Sequence, residues 1–331
     1  MRDVLRVRSL GVLAAGVLVT LGLTAFPGQA ADKVGMKICH IISEKNHNGR
    51  ALEVFVKRVG ELSNGQIDAK AYHAGALGSE TQCVESLQLG SVQAGVVTSA
   101  VFVSLSPPLG VLDLPYIFRD WDHFFKVVDG PIGQRIAEGL PKRGLRALGY
   151  WIGGVRDAYG NRVVKTPDDF KGMKLRTMQT PMYVALFKAY GAIPTPIAWP
   201  ETYLALAQGT VDGAETALVA MHDNKQYEVV KYATRTKHAI SAGPFVVSER
   251  WWQSLTPDQQ KAILQAELET RKLARENFFA YDRSVVDDLR AKGMTVVEPD
   301  LTPFREVALK IYPQFEKDIG KDVIQSVLDA K

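Results

Sequence analysis

Cysteine is scarce in this chain of 331 residues, which contains only Cys39 and Cys83. Two cysteines cannot supply the dense disulfide framework of a small secreted domain or the paired Cys-x-x-Cys spacing of a structural zinc site. The six histidines are dispersed, and no two of them are spaced i, i+4. We therefore expect no metal and no cofactor. The two cysteines could form one disulfide or remain separate, small buried residues.

Motifs that mark common enzyme classes are also missing. After the first thirty residues there is no Gly-x-Ser-x-Gly elbow, no Gly-x-x-x-x-Gly-Lys-Ser/Thr loop and no strand-coupled Gly-x-Gly-x-x-Gly fingerprint. The paired acids Asp168-Asp169 and Asp287-Asp288 fall on a predicted turn and a predicted helix face, which is typical of solvated surface. Asn46-His47-Asn48 is interpreted as a polar loop. The sequence favours a protein that is not an enzyme.

A block of basic residues is absent as well. The formal net charge is +4, and it falls to +2 once the three arginines and one aspartate of the first thirty residues are set aside. Such a mild balance does not indicate nucleic acid binding. After residue 30, no apolar run approaches the length that spans a bilayer.

The first thirty residues have the composition of a secretory signal peptide. Three arginines stand among the first eight residues, residues 10–26 carry no charge, and small residues follow at 28–30. We expect cleavage near Ala30 or Ala31, which leaves a soluble, exported protein. An uncleaved anchor is the alternative, but the apolar run is short and Pro27 would break a helix.

Strand-like and helix-like patterns alternate in the first half of the remaining chain. Strands are predicted at 34–42, 66–73 and 92–100, with helices at 48–62 and 79–90 between them. This βαβαβ order predicts a mostly parallel sheet with helices on both faces. Ligands of such sheets bind near the carboxyl ends of the strands, which points to the loops 43–48, 75–80 and 98–100.

One arginine stands at the end of a short apolar strand in the second half. Residues 173–177 predict this strand, and Arg176 lies near its carboxyl end. Helices are predicted next at 182–190, 199–208 and 217–229, with a strand at 211–216 before the last of them. A guanidinium offers paired donors to a carboxylate. The pattern alone leaves open whether that carboxylate belongs to a ligand or to a structural ion pair.

Two breaks in strand-like runs predict crossings between two domains. Gly153-Gly154 follows the first run, and Ala242-Gly243-Pro244 separates runs at 235–241 and 245–248. A helix of roughly 35 residues is predicted at 258–292, far above the mean of about 11 to 12. We expect domain I to comprise 31–153 plus 244–281, domain II to comprise 154–243 plus 282–331, and the long helix to run along both.

Several ordered motifs resemble one receptor family. They are Ala74 to Gly78, Arg156, Asn161-Arg162, Thr166 to Arg176, Gly191 to Pro196, Glu201 to Leu206 and Val211 to Glu215. In this combination and order, which extends over nearly the whole chain after the signal peptide, they resemble the solute receptors of tripartite ATP-independent periplasmic (TRAP) transporters, the C4-dicarboxylate-binding (DctP-like) family.

The resemblance implies an α/β, two-domain periplasmic binding protein fold with two mixed sheets, hinge crossings and the long helix. It implies a periplasmic monomer that closes on a small organic acid and delivers it to one small and one large membrane subunit, driven by an ion gradient. A sensory ligand-binding module would share this fold and site. An exported enzyme on small acids would need an acid or base beside Arg176, and only Glu80 or His238 could serve.

The resemblance also assigns site residues. Arg176 of the Lys-Leu-Arg motif is expected to form a bidentate salt bridge with the ligand carboxylate. Arg156 is expected to support it, with a salt bridge at the hinge as the alternative role. Trp199 is expected to line the pocket, as is Thr216, which replaces an asparagine of sugar-acid receptors. The residues expected on the loops that border the cleft are Glu80, Thr98, Ser99, Gln179 and His238. Because Thr98 replaces an acid of sialic-acid receptors, a smaller or more apolar acid is expected.

Overall fold

A computed structural model describes residues 33–331, so the predicted signal peptide lies outside the described residues. The first elements are β1 (Val34–His40), α1 (His47–Leu62), β2 (Ile67–Tyr72), α2 (Glu80–Leu89) and β3 (Ala94–Val96). Strand β1 pairs in parallel with both β2 and β3. The predicted βαβαβ unit is therefore confirmed.

The third strand is shorter than the sequence predicts, because it ends at Val96 rather than Ala100. The chain leaves the sheet there and forms two 3-10 helices at Ser99–Phe102 and Pro107–Asp113. This turn buries Phe102 completely, which an extended continuation of the strand would not require. Two short helices follow, α3 (Trp121–Val128) and α4 (Pro131–Ala137).

Two long strands connect the halves of the molecule. They are β4 (Leu145–Gly160) and β8 (Tyr232–Ser248), which pair antiparallel from end to end with three shifts in register, the last of which leaves residues 235–238 of β8 unpaired with β4. The predicted breaks at Gly153-Gly154 and Ala242-Gly243-Pro244 are wrong as strand ends, because shifts in register absorb the irregularity within the pair. Gly154 has φ 123°, and a Cβ there would lie 2.5 Å from Ala217 Cβ.

The segment between these long strands forms the second α/β unit. Its elements are β5 (Lys174–Thr177), α5 (Pro181–Ala189), β6 (Ile193–Pro196), α6 (Trp199–Ala207), β7 (Gly213–Ala217) and α7 (Leu218–Asp223). Strand β6 was missed by the sequence analysis because Pro194 and Pro196 disfavour a strand interior. It pairs only with β5 and lies at the sheet edge, where proline is tolerated.

The carboxyl-terminal part is mainly helical. It contains α8 (Glu249–Gln253), α9 (Pro257–Ala291), β9 (Thr295–Val297), α10 (Thr302–Leu309), α11 (Glu316–Ile319) and α12 (Lys321–Asp329). The long helix α9 is confirmed at 35 residues, and a reciprocal capping box between Thr256 and Gln259 begins it. None of the helices within 33–331 combines enough length and apolar character to cross a membrane.

All nine strands belong to one hydrogen-bonded network. The order is β2-β1-β3-β8-β4-β7-β5-β6, with β9 added beside β8. The predicted two mixed sheets are present as the two ends of this order, and they are continuous because β4 and β8 belong to both. Helix α9 packs along β4 and contacts α1 at one end and α7 further along.

Two apolar cores lie under this sheet. One forms around Phe55, Trp151 and Phe245 between α1, β4 and β8, and α9 covers it with Ile263. The larger one extends from α2 through the 3-10 segments to the carboxyl-terminal helices. Burial on this scale, at roughly 25 cal/mol per Å² of apolar surface, holds the strand ends of both halves in fixed positions.

Cys39 and Cys83 form a disulfide that joins β1 to α2, with Cα atoms 6.3 Å apart. The sequence left this pairing open. Gly95 lies opposite Cys39 in the register of β1 and β3, and a Cβ at Gly95 would lie 2.5 Å from Cys39 Sγ. Only glycine leaves room there for the sulfur.

Candidate functional site

Six of the predicted residues line one cavity of about 70 Å³. They are Glu80, Thr98, Arg156, Arg176, Trp199 and Thr216. Glu80 and Thr98 come from the first α/β unit, whereas the other four come from β4, β5, α6 and β7. The cavity therefore lies where the two units meet. This is near the carboxyl ends of the strands, where ligands of such sheets are expected to bind.

Arg176 brings a buried positive charge to this cavity. Its residue is only 2% exposed, and its guanidinium donates from Nε to Ile197 O (2.9 Å) and from Nη1 to Glu215 O (3.4 Å). The guanidinium carbon lies 5.5 Å from the centre of the Trp199 ring. Burial lowers the pKa of Arg176. Within residues 33–331, no carboxylate lies within salt-bridge distance of this guanidinium.

Arg156, in contrast, already has a counter-ion. Its Nε donates to Glu215 Oε2 (2.7 Å) and its Nη2 to Glu215 Oε1 (2.8 Å), a bidentate pair with both side chains buried. Its guanidinium carbon also lies 4.8 Å from the centre of the Tyr183 ring. The Nη1 group of Arg156 has no hydrogen-bond partner in the described part of the chain, so this arginine can still donate toward the cavity.

Glu215 organises the polar groups behind the cavity wall. Its Oε1 accepts from Met178 N (3.1 Å), and His238 Nε2 lies 3.3 Å from its Oε2. Burial alone would raise the pKa of Glu215, but the charge of Arg156 and hydrogen bonds from His238 and Arg156 lower it to about 2. Glu215 therefore stays ionised and keeps Arg156 paired.

His238 does not line the cavity, contrary to its predicted position. It is fully buried behind Glu215, between the rings of Tyr183 and Phe187, and its Nδ1 lies 2.9 Å from Thr236 Oγ1. His238 lies within β8, in the segment 235–238 where a shift in register leaves β8 without partners on β4. Burial lowers the pKa of His238, even though Glu215 opposes that change.

Glu80 supplies a carboxylate to the wall formed by the first unit. It is the first residue of α2, and its Oε1 accepts from Thr98 N (2.8 Å) and Thr98 Oγ1 (2.5 Å). Burial raises the pKa of Glu80, while these hydrogen bonds and the charges of Arg156 and Arg176 oppose the rise. The hydroxyl of Thr98 is therefore committed to Glu80 and orients its carboxylate.

The remaining predicted residues lie at different depths. Trp199 is 7% exposed, and its Nε1 has no hydrogen-bond partner among the described residues, although its ring lines the cavity. Gln179 lines a smaller adjoining pocket of about 20 Å³ that also contacts Arg176 and Trp199. Ser99 is fully buried and does not line either pocket, because the chain turns into a 3-10 helix at that residue.

Sequence reasoning missed several lining residues between the end of β1 and the start of α1. His40, Asn46 and Asn48 all line the cavity and are buried, so the interpretation of Asn46-His47-Asn48 as a plain polar loop is wrong. Asn46 Nδ2 donates to Asp223 Oδ2 (2.7 Å), and Asn48 Nδ2 donates to Ile152 O (2.9 Å). The position of loop 43–48 at the carboxyl end of a predicted strand was the signal that could have identified these residues.

The described residues contain no group of three histidine, cysteine, aspartate or glutamate side chains arranged to hold a metal ion. The polar atoms that face the cavity are a free guanidinium, a paired guanidinium, one carboxylate and several neutral donors and acceptors. Such a set can hold a small anion and hydrogen-bond its substituents.

Comparison with known proteins gives a consistent result. The family model described as bacterial extracellular solute-binding protein, family 7, matches residues 38–318. A protein of Verminephrobacter eiseniae named as a solute-binding protein is 35% identical over 326 residues, which covers 98% of this chain and 96% of the relative.

Solved structures match over most of the chain as well. A TRAP periplasmic solute-binding protein from Sulfurospirillum deleyianum with bound succinate is 31% identical, with a TM-score of 0.87 over 91% of this chain and 100% of that one. A TRAP periplasmic solute-binding protein from Polaromonas sp. JS666 bound to D-erythronate is 28% identical, with a TM-score of 0.87 over 90% and 99% of the two chains.

Proposed function

The chain belongs to the family 7 extracellular solute-binding proteins, the TRAP transporter receptors, and on that premise we propose that it captures a small organic acid by its carboxylate and delivers it for uptake. The acid docks on Arg176, with Arg156 in support. The proposal says more than family membership does, because it assigns roles to particular residues of this chain and a size to the ligand.

The observation that carries the proposal is the contrast between the two arginines. Arg156 is paired with Glu215 at 2.7 and 2.8 Å, whereas Arg176 is equally buried and forms no direct salt bridge among residues 33–331. A buried charge is costly unless it is paired. A ligand carboxylate on Arg176 supplies the missing charge, and the free Nη1 of Arg156 can donate to the same ligand.

Ligand size follows from the volume and the lining. The cavity of about 70 Å³ is small, and Trp199 closes part of it with an aromatic face. Thr216 offers one hydroxyl to the ligand, and Thr98 is already engaged by Glu80. We propose a short acid. Succinate and D-erythronate, which two structural neighbours hold, are short acids.

Capture is completed by closure of two domains. We propose that domain I (31–153 plus 244–281) swings over domain II (154–243 plus 282–331) as the paired strands flex near Gly153 and Ala242. The loop after β1 then brings Asn46 against Asp223, a contact of 2.7 Å that joins the two sides of the cavity. Closure removes water from the ion pair at Arg176 and strengthens it.

Delivery requires partners that the structure does not contain. We propose that the closed receptor acts in the periplasm as a monomer and passes its acid to one small and one large membrane subunit. This part of the proposal rests on the family, since membrane-coupled uptake is what TRAP receptors serve.

A thermal-shift screen tests the carboxylate requirement. The panel contains short mono- and dicarboxylic acids, including succinate and D-erythronate, and the amide of each. At about 100 times its dissociation constant, a ligand stabilises the folded state by about 2.7 kcal/mol, so a binding acid should raise the melting temperature by a few degrees. The amides should not. Equal shifts with acids and amides would contradict the proposal.

A further inference from the structure

Three side chains connect the ligand cavity to the protein surface. His40, the last residue of β1, lines the cavity, and its Nδ1 lies 3.1 Å from His73 Nδ1. His73 Nε2 in turn lies 2.8 Å from Glu53 Oε1 on α1. The exposed fraction of the side chain rises from His73 (12%) to Glu53 (47%), whereas the His40 residue is only 3% exposed.

Glu53, the most exposed of the three side chains, determines which atoms donate in these hydrogen bonds. A carboxylate only accepts, so Glu53 requires the proton of neutral His73 to be on Nε2. His73 Nδ1 then carries a lone pair and accepts from His40. The proton of neutral His40 is consequently on Nδ1, which leaves a lone pair on His40 Nε2.

Nothing in residues 33–331 satisfies that lone pair. His40 Nε2 has no hydrogen-bond partner there, and the two amides nearest in sequence donate elsewhere, Asn46 to Asp223 and Asn48 to Ile152 O. Burial lowers the pKa of His40 to about 3, and His73 and His47 add to this effect, so the imidazole is neutral. Because His40 lines the cavity, this acceptor is available to a donor on a ligand.

We propose that His40 recognises a hydroxyl group of the ligand and that His73 and Glu53 are positioning residues that fix its acceptor tautomer. The inference deepens the proposed function and depends on it. In the strand order, β3, the connecting pair β8 and β4, and then β7 lie between β1, which carries His40, and β5, which carries Arg176. The two sides of the cavity therefore contact different groups of the ligand. The ligand class is a short hydroxy acid, held by its carboxylate at one side and its hydroxyl at the other.

The alternatives at this position are less compatible with the geometry. An unsubstituted alkyl chain would leave the lone pair without a donor. A second carboxylate would face a lone pair, and it could be held only if His40 gained a proton against its buried surroundings. A hydroxyl donates one hydrogen bond and requires neither change.

The test compares matched acids and reads the tautomer directly. Calorimetry at pH 8, where imidazole is neutral, measures L- and D-lactate against propionate, and L- and D-malate against succinate. We expect one hydroxy acid of each pair to bind about tenfold or more tightly than the acid without the hydroxyl. Nitrogen-15 NMR of the ligand-free protein should show the His40 proton on Nδ1.

Two variants separate positioning from packing. The first variant is Glu53→Gln, at the exposed end of the three side chains and far from the ligand. Its amide can donate to His73 Nε2, which would reverse the direction of both hydrogen bonds. It should reduce the preference for the hydroxy acid to about threefold or less and move the His40 proton to Nε2. Glu61→Gln, on the same helix and exposed, is the matched control and should change neither.

The possible results distinguish failure of the role of His40 from failure of the proposed function. A His40 proton on Nε2 in the unmodified protein, or an unchanged preference in Glu53→Gln, would overturn the role of His40 even if acids bind. An equal affinity for both members of each pair would overturn it as well. If the NMR spectrum shows the expected tautomer but binding does not require a carboxylate, the proposed function fails instead.

Discussion

Arg156 and Arg176 face the same cavity, and the free energy of folding depends on them in opposite ways. Arg156 compensates Glu215, so removing it leaves a buried carboxylate alone. Arg176 donates to two backbone carbonyls and forms no direct salt bridge among the described residues, although the charges of Glu215 and Glu80 act on it. A site that keeps a buried cation ready for an anion gives up stability for binding.

Replacement of each arginine by methionine should reveal this difference. We expect Arg156→Met to lower the free energy of unfolding of the ligand-free protein by about 3–5 kcal/mol, because it breaks a buried pair. Arg176→Met should lower it by no more than about 1 kcal/mol, or raise it, because a buried unpaired charge is removed. Urea unfolding of both variants is the measurement. Equal losses would contradict the assignment of Arg176 as the unpaired cation.

The ion pair between Arg156 and Glu215 should persist at mildly acidic pH. The pKa of Glu215 is lowered to about 2 in the folded protein, below the usual value of about 4.3 for an unfolded chain. The stability that the pair contributes is therefore present above about pH 4 and is lost as the pH falls toward 2. Across the neutral range, Arg156 and Glu215 therefore remain paired.

At the scale of elements, the disulfide holds one wall of the cavity. Cys39 precedes His40 on β1, and Cys83 lies one turn after Glu80 on α2, so the bond ties together two elements that present polar groups to the ligand. The bond encloses a loop with a sequence separation of 44 residues, which constrains the unfolded chain.

Loss of this bond should destabilise the protein and loosen the site. We expect the paired substitution Cys39→Ser with Cys83→Ser to lower the free energy of unfolding by about 2–4 kcal/mol. Ligand affinity should fall because Glu80 and His40 are less well positioned. Thermal unfolding and calorimetry of the double variant are the measurements, with the unmodified protein under reducing conditions as control. Unchanged unfolding in both samples would show that the bond contributes nothing.

Elements with strong local signals could be predicted from the sequence, and those decided by long-range pairing could not. The capping residue Thr256 and the run after it predicted α9 almost to the residue. The glycines and proline that suggested breaks in β4 and β8 lie within continuous strands, because pairing between the two strands overrides the local preference. Strand β6 exists only through its pairing with β5.

Some features of the candidate site could likewise be predicted from the sequence, and others could not. Arg176 could be predicted from a strand end and a family motif, and six predicted residues line the cavity. The partner of Arg156 could not be predicted, because Glu215 meets it only through the register of β4 and β7. The chain from His40 through His73 to Glu53 combines residues from β1, the end of β2 and α1, and nothing in their spacing indicates it.

At the scale of the whole molecule, two α/β units share one sheet and one long helix. The connecting pair β4 and β8 and the helix α9 contact both units, so a change of angle between the units can be transmitted without breaking either core. In the function we propose, the ligand joins Arg176 on one unit to the β1 and α2 side of the other. We expect capture to depend on the charge of Arg176 more than on any one lining contact.

Calorimetric titration of Arg176→Ala tests this account most directly. The titrant is the acid that gives the largest thermal shift, and Arg162→Ala, an exposed arginine of the same unit that contacts only backbone carbonyls, is the matched control. We predict that Arg176→Ala weakens binding by on the order of 2–5 kcal/mol while Arg162→Ala binds as the unmodified protein does. Unchanged affinity in Arg176→Ala would contradict the central claim that a ligand carboxylate is held by this guanidinium.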